Sequence, residues 1–519
     1  MEEGMSSANE ALGPIGIVAT GSRPYSFSFI SRRPVPVGVY VVVDGSEGSI
    51  LGLVEDSQIE SRLMDNARSF DAGIDASRAA AKDERDKRNS AFVQVVGLLE
   101  QLKKGSQFMP SLPAVPGSAV HLAPAEALSA VFSRDSGEWL KIGKLLRDDG
   151  VDVSVNVNRV ASRHLAILAT TGSGKSNLLA LIAKGIADMY GTMLILDYQG
   201  EYSELRIKNV VNLQAKVNPR LLDAERLADM LDVRQGAEIQ RTVLNQAMTQ
   251  QVKDAEDFWG SLVASLNNIR DSEGSSAGTR NAAVRLVEII ERARRRKGRV
   301  LDPTIGNPID MVAPNHINVL GMQDLSEMQA AFVISYYLEE VFERRKEARY
   351  ARSAGGEGAD RIKFRSPVVI AIEEAHTFLP GGEEKTDASR MAFKIAREGR
   401  KFGVGLIVIS QRPSRVDQDV LSQMGSLAVS RITQPKDQNY ILESSELVTE
   451  KLVSYLPSLN VGETVLLGQW VTLPSVVRVR KVDEKLVGAD INAEREWRED
   501  LEMQGIARES TDDLIRRPD

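Results

Sequence analysis

The residues Ala169-Thr170-Thr171-Gly172-Ser173-Gly174-Lys175-Ser176 lie between an apolar run, Leu165-Ala-Ile-Leu, and a helical one, Asn177-Leu-Leu-Ala-Leu-Ile-Ala. They follow the phosphate-loop pattern G-x-x-x-x-G-K-[ST], with Ala169 standing where the first glycine is usual. The spacing carries the chemistry. Glycines let backbone N–H groups converge on a β-phosphate at a helix N-terminus, Lys175 spans the β- and γ-phosphates, and the Ser176 hydroxyl ligates Mg²⁺. Thr171, Gly172, Ser173, Gly174, Lys175, Ser176 and Asn177 are therefore candidate nucleotide-binding residues, with ATP and Mg²⁺ as the implied ligands.

Such a loop needs carboxylates, and Val368-Val-Ile-Ala-Ile372 runs directly into Glu373-Glu374. A buried strand that delivers two acids at its C-terminal end is what an ATPase with an extra strand between loop and acids requires. Glu373 is expected to hold the metal shell and Glu374 to polarise the attacking water. A switch-type GTPase would show a lone Asp and an Asn-Lys-x-Asp motif, and the sequence has no such motif. Gln411, just after Val404-Gly-Leu-Ile-Val-Ile-Ser410, holds the position of a γ-phosphate sensor or of an ordinary polar strand end. Asp197, closing Met193-Leu-Ile-Leu, is a second acid for placing nucleotide, water or metal, or else a turn residue.

The stretch from Ala388 to Gly403 reads as a helix carrying Arg390, Lys394, Arg397, Arg400 and Lys401. It is either a solvated basic face or the place from which a ring motor offers an arginine to a neighbour's γ-phosphate. Arg400 is the first choice for that role, Arg397 the second, and Arg163, in Ser-Arg-His before the phosphate-loop strand, a further candidate. Arg390 and Lys394 are candidates for contacts to DNA phosphates.

The elements that must position these groups read as α/β. Met193 to Asp197, His316 to Leu320, Val368 to Ile372 and Val404 to Ile409 are continuous apolar runs, as parallel strands covered on both faces should be. Together with the phosphate loop they predict a RecA-like ATPase core over 151–485, with a helical subdomain inserted at about 214–312. The helix from Ser326 to Arg345 places Ala331, Ile334, Leu338, Val341 and Phe342 on one face. Before residue 150, short β-rich runs alternate with Gly, Pro and Asp-Gly turns, which predicts a small N-terminal β-barrel over 12–150 with a charged helical insertion at about 60–90. Residues Ala351 to Ala359 read as a flexible surface loop, and 486–519 as a charged tail that packs on the core or a neighbouring subunit.

Composition narrows the classes. The 519 residues carry 65 Lys+Arg against 72 Asp+Glu, a net charge of −7, which argues against indiscriminate coating of nucleic acid but not against a local basic channel. With no cysteine, thiolate metal sites, Cys nucleophiles and disulfides are excluded. The four histidines, His121, His164, His316 and His376, are scattered singly, so a His-based zinc site is not expected. No apolar run approaches the roughly 18 residues of a membrane span, and the acidic N-terminus does not read as a signal, so a cytoplasmic location is expected.

The runs TTGSGKS, LILDYQGEY, VVIAIEEAHTFLP, AREGRKFGVGLIVISQRPSRVDQDVLSQ and LPSLNVGETVLLGQW together are similar to the HerA family of hexameric DNA translocases, within the FtsK–HerA group. The similarity covers roughly residues 12–485. It implies a homo-hexameric ring that threads double-stranded DNA, driven by Mg-ATP, and often docked to a NurA-type nuclease or another effector in DNA-end processing or anti-phage defence. The departures are Ala169, Gln199 where the family often has His, Glu373 where Asp is common, and the insertion at 60–90. A conjugation-type coupling ATPase would be expected to carry a membrane anchor. A ring scaffold that regulates an effector, with translocation secondary, is the other alternative.

Overall fold

Six antiparallel strands close on themselves at the N-terminal end of the chain. They are β1 (Gly16–Val18), β2 (Ser26–Ser31), β3 (Tyr40–Gly45), β4 (Gly48–Ser61), β5 (Lys87–Leu98) and β6 (Ala119–Leu122), in the order β1-β2-β5-β4-β3-β6 with β6 returning to β1. The computed structural model describes residues 13–82, 86–234, 236–297, 300–353, 363–382, 385–445, 448–482 and 493–503. Alternation along the strands turns Phe27, Phe29, Val41, Val43, Val93 and Val95 into the barrel core. β4 and β5 run on past the barrel as a two-stranded arm, paired out to Ser61 and Lys87. Between these strands lie a short helix capped by Ser61 and then α1 (Phe70–Ala80), capped by Ser69, of which only Ala80 is buried.

The second sheet has eleven strands in the order β11-β12-β10-β13-β14-β9-β15-β16-β17-β7-β8. β9 (Leu165–Leu168), β10 (Thr192–Asp197), β11 (Val210–Gln214), β12 (Ile317–Gly321), β13 (Val368–Ile372), β14 (Val404–Ser410) and β15 (Ser426–Val429) are joined by parallel pairings. β16 (Glu463–Gly468), β17 (Ser475–Val479) and the hairpin of β7 (Trp139–Leu145) and β8 (Asp148–Asn156) extend it antiparallel. Every residue of β13 and β14 is buried, because helices cover both faces.

That hairpin corrects the boundary expected at residue 150. β7 pairs with β17, and Val151, Val153 and Val155 of β8 pack in the same core as the helix after the phosphate loop. The ATPase sheet therefore begins at Trp139. Between β11 and β12, helices at Ala224–Met230, Glu238–Ala247, Gln250–Asp254, Phe258–Asp271 and Ala277–Lys297 bury Leu227, Leu244, Leu262 and Leu286 in one core with the sheet. The expected helix at Ser326–Arg345 is longer. Named α4 below, it runs Glu327–Ser353 and buries Ile334, Leu338, Val341 and Phe342, with Ala331 only partly covered. It takes up the first residues of the expected loop at 351–359, and the remainder of that loop lies outside the described residues. Of the charged tail, a helix at Ala493–Met503 is described. No helix among the described residues is long and apolar enough to cross a membrane.

Two further helices fix the site: α2 (Val157–Arg163), which leads into β9, and α3 (Lys175–Asp188), which leaves the phosphate loop. α2 lies directly on β14 at Gly405, where an added Cβ would come within 2.7 Å of the Ala161 Cα and 2.8 Å of the Val160 carbonyl oxygen. Gly405→Ala is expected to push α2 off the sheet and to lower stability by about 1–3 kcal/mol. Denaturant unfolding checks this; a wild-type midpoint would contradict the close packing.

Candidate nucleotide site

The phosphate loop is held before any ligand arrives. The Ala169 N–H donates to the Ser410 carbonyl at 3.1 Å, the Thr170 N–H and hydroxyl both donate to the Arg431 carbonyl at 3.1 Å, and the Gly462 N–H donates to the Ser173 carbonyl at 3.1 Å. Three separate strand ends thus pin one short loop. Gly172 and Gly174 have φ of 75° and 109°, a region that side chains disfavour, and Gly174 caps α3 with Lys175 as its first residue. The Lys175 ammonium donates to the Thr170 carbonyl at 3.3 Å, and burial lowers its proton affinity against the pull of Glu374, Glu201 and Glu373. Ser176 follows, half-buried, on the first turn.

Glu374 sits at the end of β13 in a left-handed conformation, φ 46°, rare for a residue with a side chain and characteristic of functional turns. Its carboxylate accepts from Gln199 Nε2 at 3.1 Å and from Gln411 Nε2 at 3.2 and 3.3 Å, and lies 3.2 Å from His376 Nδ1. Gln411 also pairs with the Thr171 hydroxyl, so one amide links the acid to the phosphate loop. Burial raises the Glu374 proton affinity, opposed by Lys175 and the Gln411 hydrogen bond. His376 is held below the usual histidine range, first by burial and then by Arg412 and Arg415, so it is neutral beside the acid near pH 7.

Glu373 is buried and accepts from the Gln199 N–H at 3.4 Å. Burial, together with Asp197 and Glu201, pushes its carboxyl well above the usual range. A cation would relieve that crowding. No cluster of three or more acidic or histidine side chains able to hold a metal alone occurs among the described residues. Ser176 and Glu373 instead fit Mg²⁺ in its usual manner, with one or two protein oxygens and the remaining ligands from phosphate and water.

Two expected ligands have other work. The Asp197 carboxylate accepts from the N–H groups of Gly200, Glu201 and Tyr202 at 2.9, 3.0 and 2.9 Å, so its oxygens shape the loop that carries Gln199. It does the work of a turn residue, and it also lies beside Glu373, whose proton affinity it raises. The Asn177 side chain donates to the Arg480 carbonyl and accepts from the Val482 N–H, both at 2.9 Å, which leaves only its backbone for a phosphate. Gln199 and His376 were not expected as contacts of Glu374. His376 was legible only as a lone histidine two residues past the acid, and Gln199 only as a family departure.

The arginines stand elsewhere. Arg163 ends α2 just before β9, and Arg400 lies near the end of α5 (Asp387–Phe402), just before β14. After burial, the charges of Arg400 and Arg159 are what lower the proton affinity of Arg163, so the two candidates sit close together. Arg163 Nε is buried and has no hydrogen-bond partner among the described residues. β9 and β14 are parallel neighbours whose other ends carry the phosphate loop and Gln411. The seven residues of β14 put roughly 20 Å between those ends at ~3.3 Å per residue. Arg397 lies over the Phe393 ring at 5.5 Å. Arg390 pairs with Asp387 and donates to the Lys385 carbonyl at 2.6 Å, while Lys394 lies 3.6 Å from Glu343, so both DNA-contact candidates are engaged within the chain.

A model of the central domain of helicase HerA matches residues 140–341. The DNA double-strand break repair helicase HerA of Sulfurisphaera tokodaii is 33% identical over 496 residues, covering 93% of this chain and 96% of that one. The chain belongs to the HerA helicase family. The HerA of Saccharolobus solfataricus is 32% identical, with 95% of this chain and 97% of that one covered. Among solved structures, VirB4 of Thermoanaerobacter pseudethanolicus aligns at a TM-score of 0.49 and 15% identity, over 68% of this chain and 99% of that one. As a HerA-type P-loop protein the chain is an ATPase. Glu374→Gln is expected to bind an ATP analogue with unchanged affinity and to lose about 10²-fold or more in turnover. Steady-state hydrolysis and nucleotide titration check this; near-normal turnover would remove Glu374 as the base.

Proposed function

We propose that the chain is an ATP-driven translocase or helicase on double-stranded DNA, working as a homo-hexameric ring with its nucleotide sites at subunit interfaces. The observation that carries the reading is the separation of two halves of one site. Lys175, Glu374 and Gln411 stand at the C-terminal ends of β9, β13 and β14, and Arg163 and Arg400 precede the N-terminal ends of β9 and β14. A single chain cannot bring both halves to one phosphate. A second copy can, by presenting its arginine edge to the first copy's loop.

In this reading the loop N–H groups and Lys175 hold the β- and γ-phosphates, and Ser176 and Glu373 hold Mg²⁺. That ion, when bound, would neutralise charge on the phosphates. Glu374, oriented by Gln199 and Gln411, accepts the proton of the attacking water. Gln411, tied to both Thr171 and Glu374, reports whether the γ-phosphate is present. Arg400 and Arg163 of the adjacent subunit meet the transition-state charge, a contribution of about 10³-fold or more in other nucleotide hydrolases. The relatives' names favour DNA-end processing over phage defence. A NurA-type nuclease or another effector would dock on the barrel end, where Phe70 is 82% exposed on α1.

Arg400→Ala protein is expected to assemble and bind ATP but to hydrolyse it poorly, and Lys175→Ala protein to assemble without turnover because its phosphate clamp is gone. Mixing the two restores part of the turnover, because some interfaces then pair an intact loop with an intact arginine. Native mass spectrometry confirms mixed rings. Inactivity of every mixture would contradict completion in trans, and full activity of Arg400→Ala alone would move the role to Arg163 or Arg397.

A further inference from the structure

In the strand order β13-β14-β9-β15-β16-β17 the phosphate loop follows β9, and Glu374 and Gln411 follow β13 and β14 on one side of it. A nucleotide is a row of phosphates that ends in a nucleoside. With its γ-phosphate toward Glu374 and Gln411 and its β-phosphate in the loop, its α-phosphate and nucleoside leave on the other side, over β15, β16 and β17. β16 runs antiparallel to β15, and β17 to β16, so the start of β16 and the end of β17 both reach the phosphate-loop edge. These two ends are fastened to each other and to the loop. The Gly462 N–H donates to the Ser173 carbonyl, the Val479 N–H donates to the Gly462 carbonyl at 2.9 Å, and the Asn177 side chain, on the first turn of α3, holds the backbone at Arg480 and Val482.

Asn460-Val461-Gly462-Glu463 is a tight turn at this place. The Glu463 N–H donates to the Asn460 carbonyl at 3.0 Å, and Gly462, in the third position, has the φ of 83° that such a turn requires. The Glu463 carboxylate accepts from the Asn460 N–H at 2.8 Å and from Asn460 Nδ2 at 3.1 Å, and Leu459 and Glu463 on either side are buried, so the turn is preformed. Its tip is nevertheless Val461, 74% exposed, where turns usually place a small polar residue or proline. Other well-exposed apolar side chains stand elsewhere: Phe70 on the barrel arm, Tyr350 on α4 and Trp497 on the tail helix. Among the described residues, Val461 is the one exposed large apolar residue that adjoins a residue bonded to the phosphate loop. A Cβ built on Gly462 would meet no atom of the described residues within 4 Å, so the space beside the tip is open. We propose that Val461 is the nucleobase contact of the site, its isopropyl group packing on the face of the purine ring. Contact with a ring face reads no exocyclic group, so Val461 positions the base without choosing between adenine and guanine. The proposal deepens the ATPase reading and rests on Ala169 to Ser176 as its phosphate site.

Full-length Val461→Ser protein tests this by calorimetric titration with two probes, the non-hydrolysable analogue AMPPNP and inorganic tripolyphosphate, each with Mg²⁺. Serine suits a turn tip, so the fold is kept. Affinity for AMPPNP is expected to fall about fivefold, the loss of part of one valine's buried surface, while affinity for tripolyphosphate, which has no base, stays at the wild-type value. The Val461→Ile protein keeps wild-type affinity for both. Unchanged AMPPNP affinity in the Val461→Ser protein would overturn the contact. A parallel loss for both probes would also overturn it, because the turn would then act through the shape of the phosphate loop. Weaker assembly by mass photometry with AMPPNP affinity intact would overturn it as well and assign Val461 to a subunit contact. Failure of the wild-type protein to bind either probe would overturn the phosphate-site reading itself, before any variant is compared.

Discussion

Parallel pairing of β13, β14 and β9 is the constraint from which the site follows. Parallel strands all end on the same edge of a sheet, so whatever follows them is gathered there and whatever precedes them is gathered on the opposite edge. The acids, the sensor amide and the phosphate loop all follow strands. The arginines proposed to act in trans, Arg163, Arg397 and Arg400, precede them, whereas Arg412 and Arg415 follow β14. Complete burial of β13 and β14 makes this arrangement rigid, because strands packed on both faces cannot slide by a residue without moving an entire apolar row. In the proposed function these two edges are complementary half-sites about one strand length apart, joined only by assembly.

Within the acid edge, one carboxylate's structural work enables another's chemistry. Asp197 spends its oxygens on three backbone N–H groups, and the tight loop so formed delivers Gln199 to both glutamates. Glu374 is then held by Gln199 and Gln411 in a left-handed backbone turn, while burial favours its protonated form. A base with raised proton affinity is a stronger acceptor once ionised, and Lys175 nearby keeps the ionised form accessible.

Much of this was legible in the sequence because its signals are local. The phosphate loop is one contiguous motif, and β10, β13 and β14 announce themselves as unbroken apolar runs. The antiparallel half was not. β7 reads Trp-Leu-Lys-Ile-Gly-Lys-Leu, an alternation that suits a barrel equally well, and its partner β17 lies more than three hundred residues further on. That distance is why the boundary was expected at 150 rather than before Trp139. Asp197 and Asn177 have the residue types of ligands, yet their side chains are taken by backbone groups whose nearness depends on the tertiary fold. Arg390 and Lys394 show their charge in the sequence and their partners, Asp387 and Glu343, only in the structure.

The claim that a single chain carries two half-sites and no whole one is tested most directly by hydrolysis per subunit against protein concentration, with oligomer mass followed in the same samples by mass photometry. The account predicts that turnover per subunit vanishes on dilution into monomers and rises with the fraction assembled. Constant turnover per subunit, continuing where only monomers remain, would contradict it.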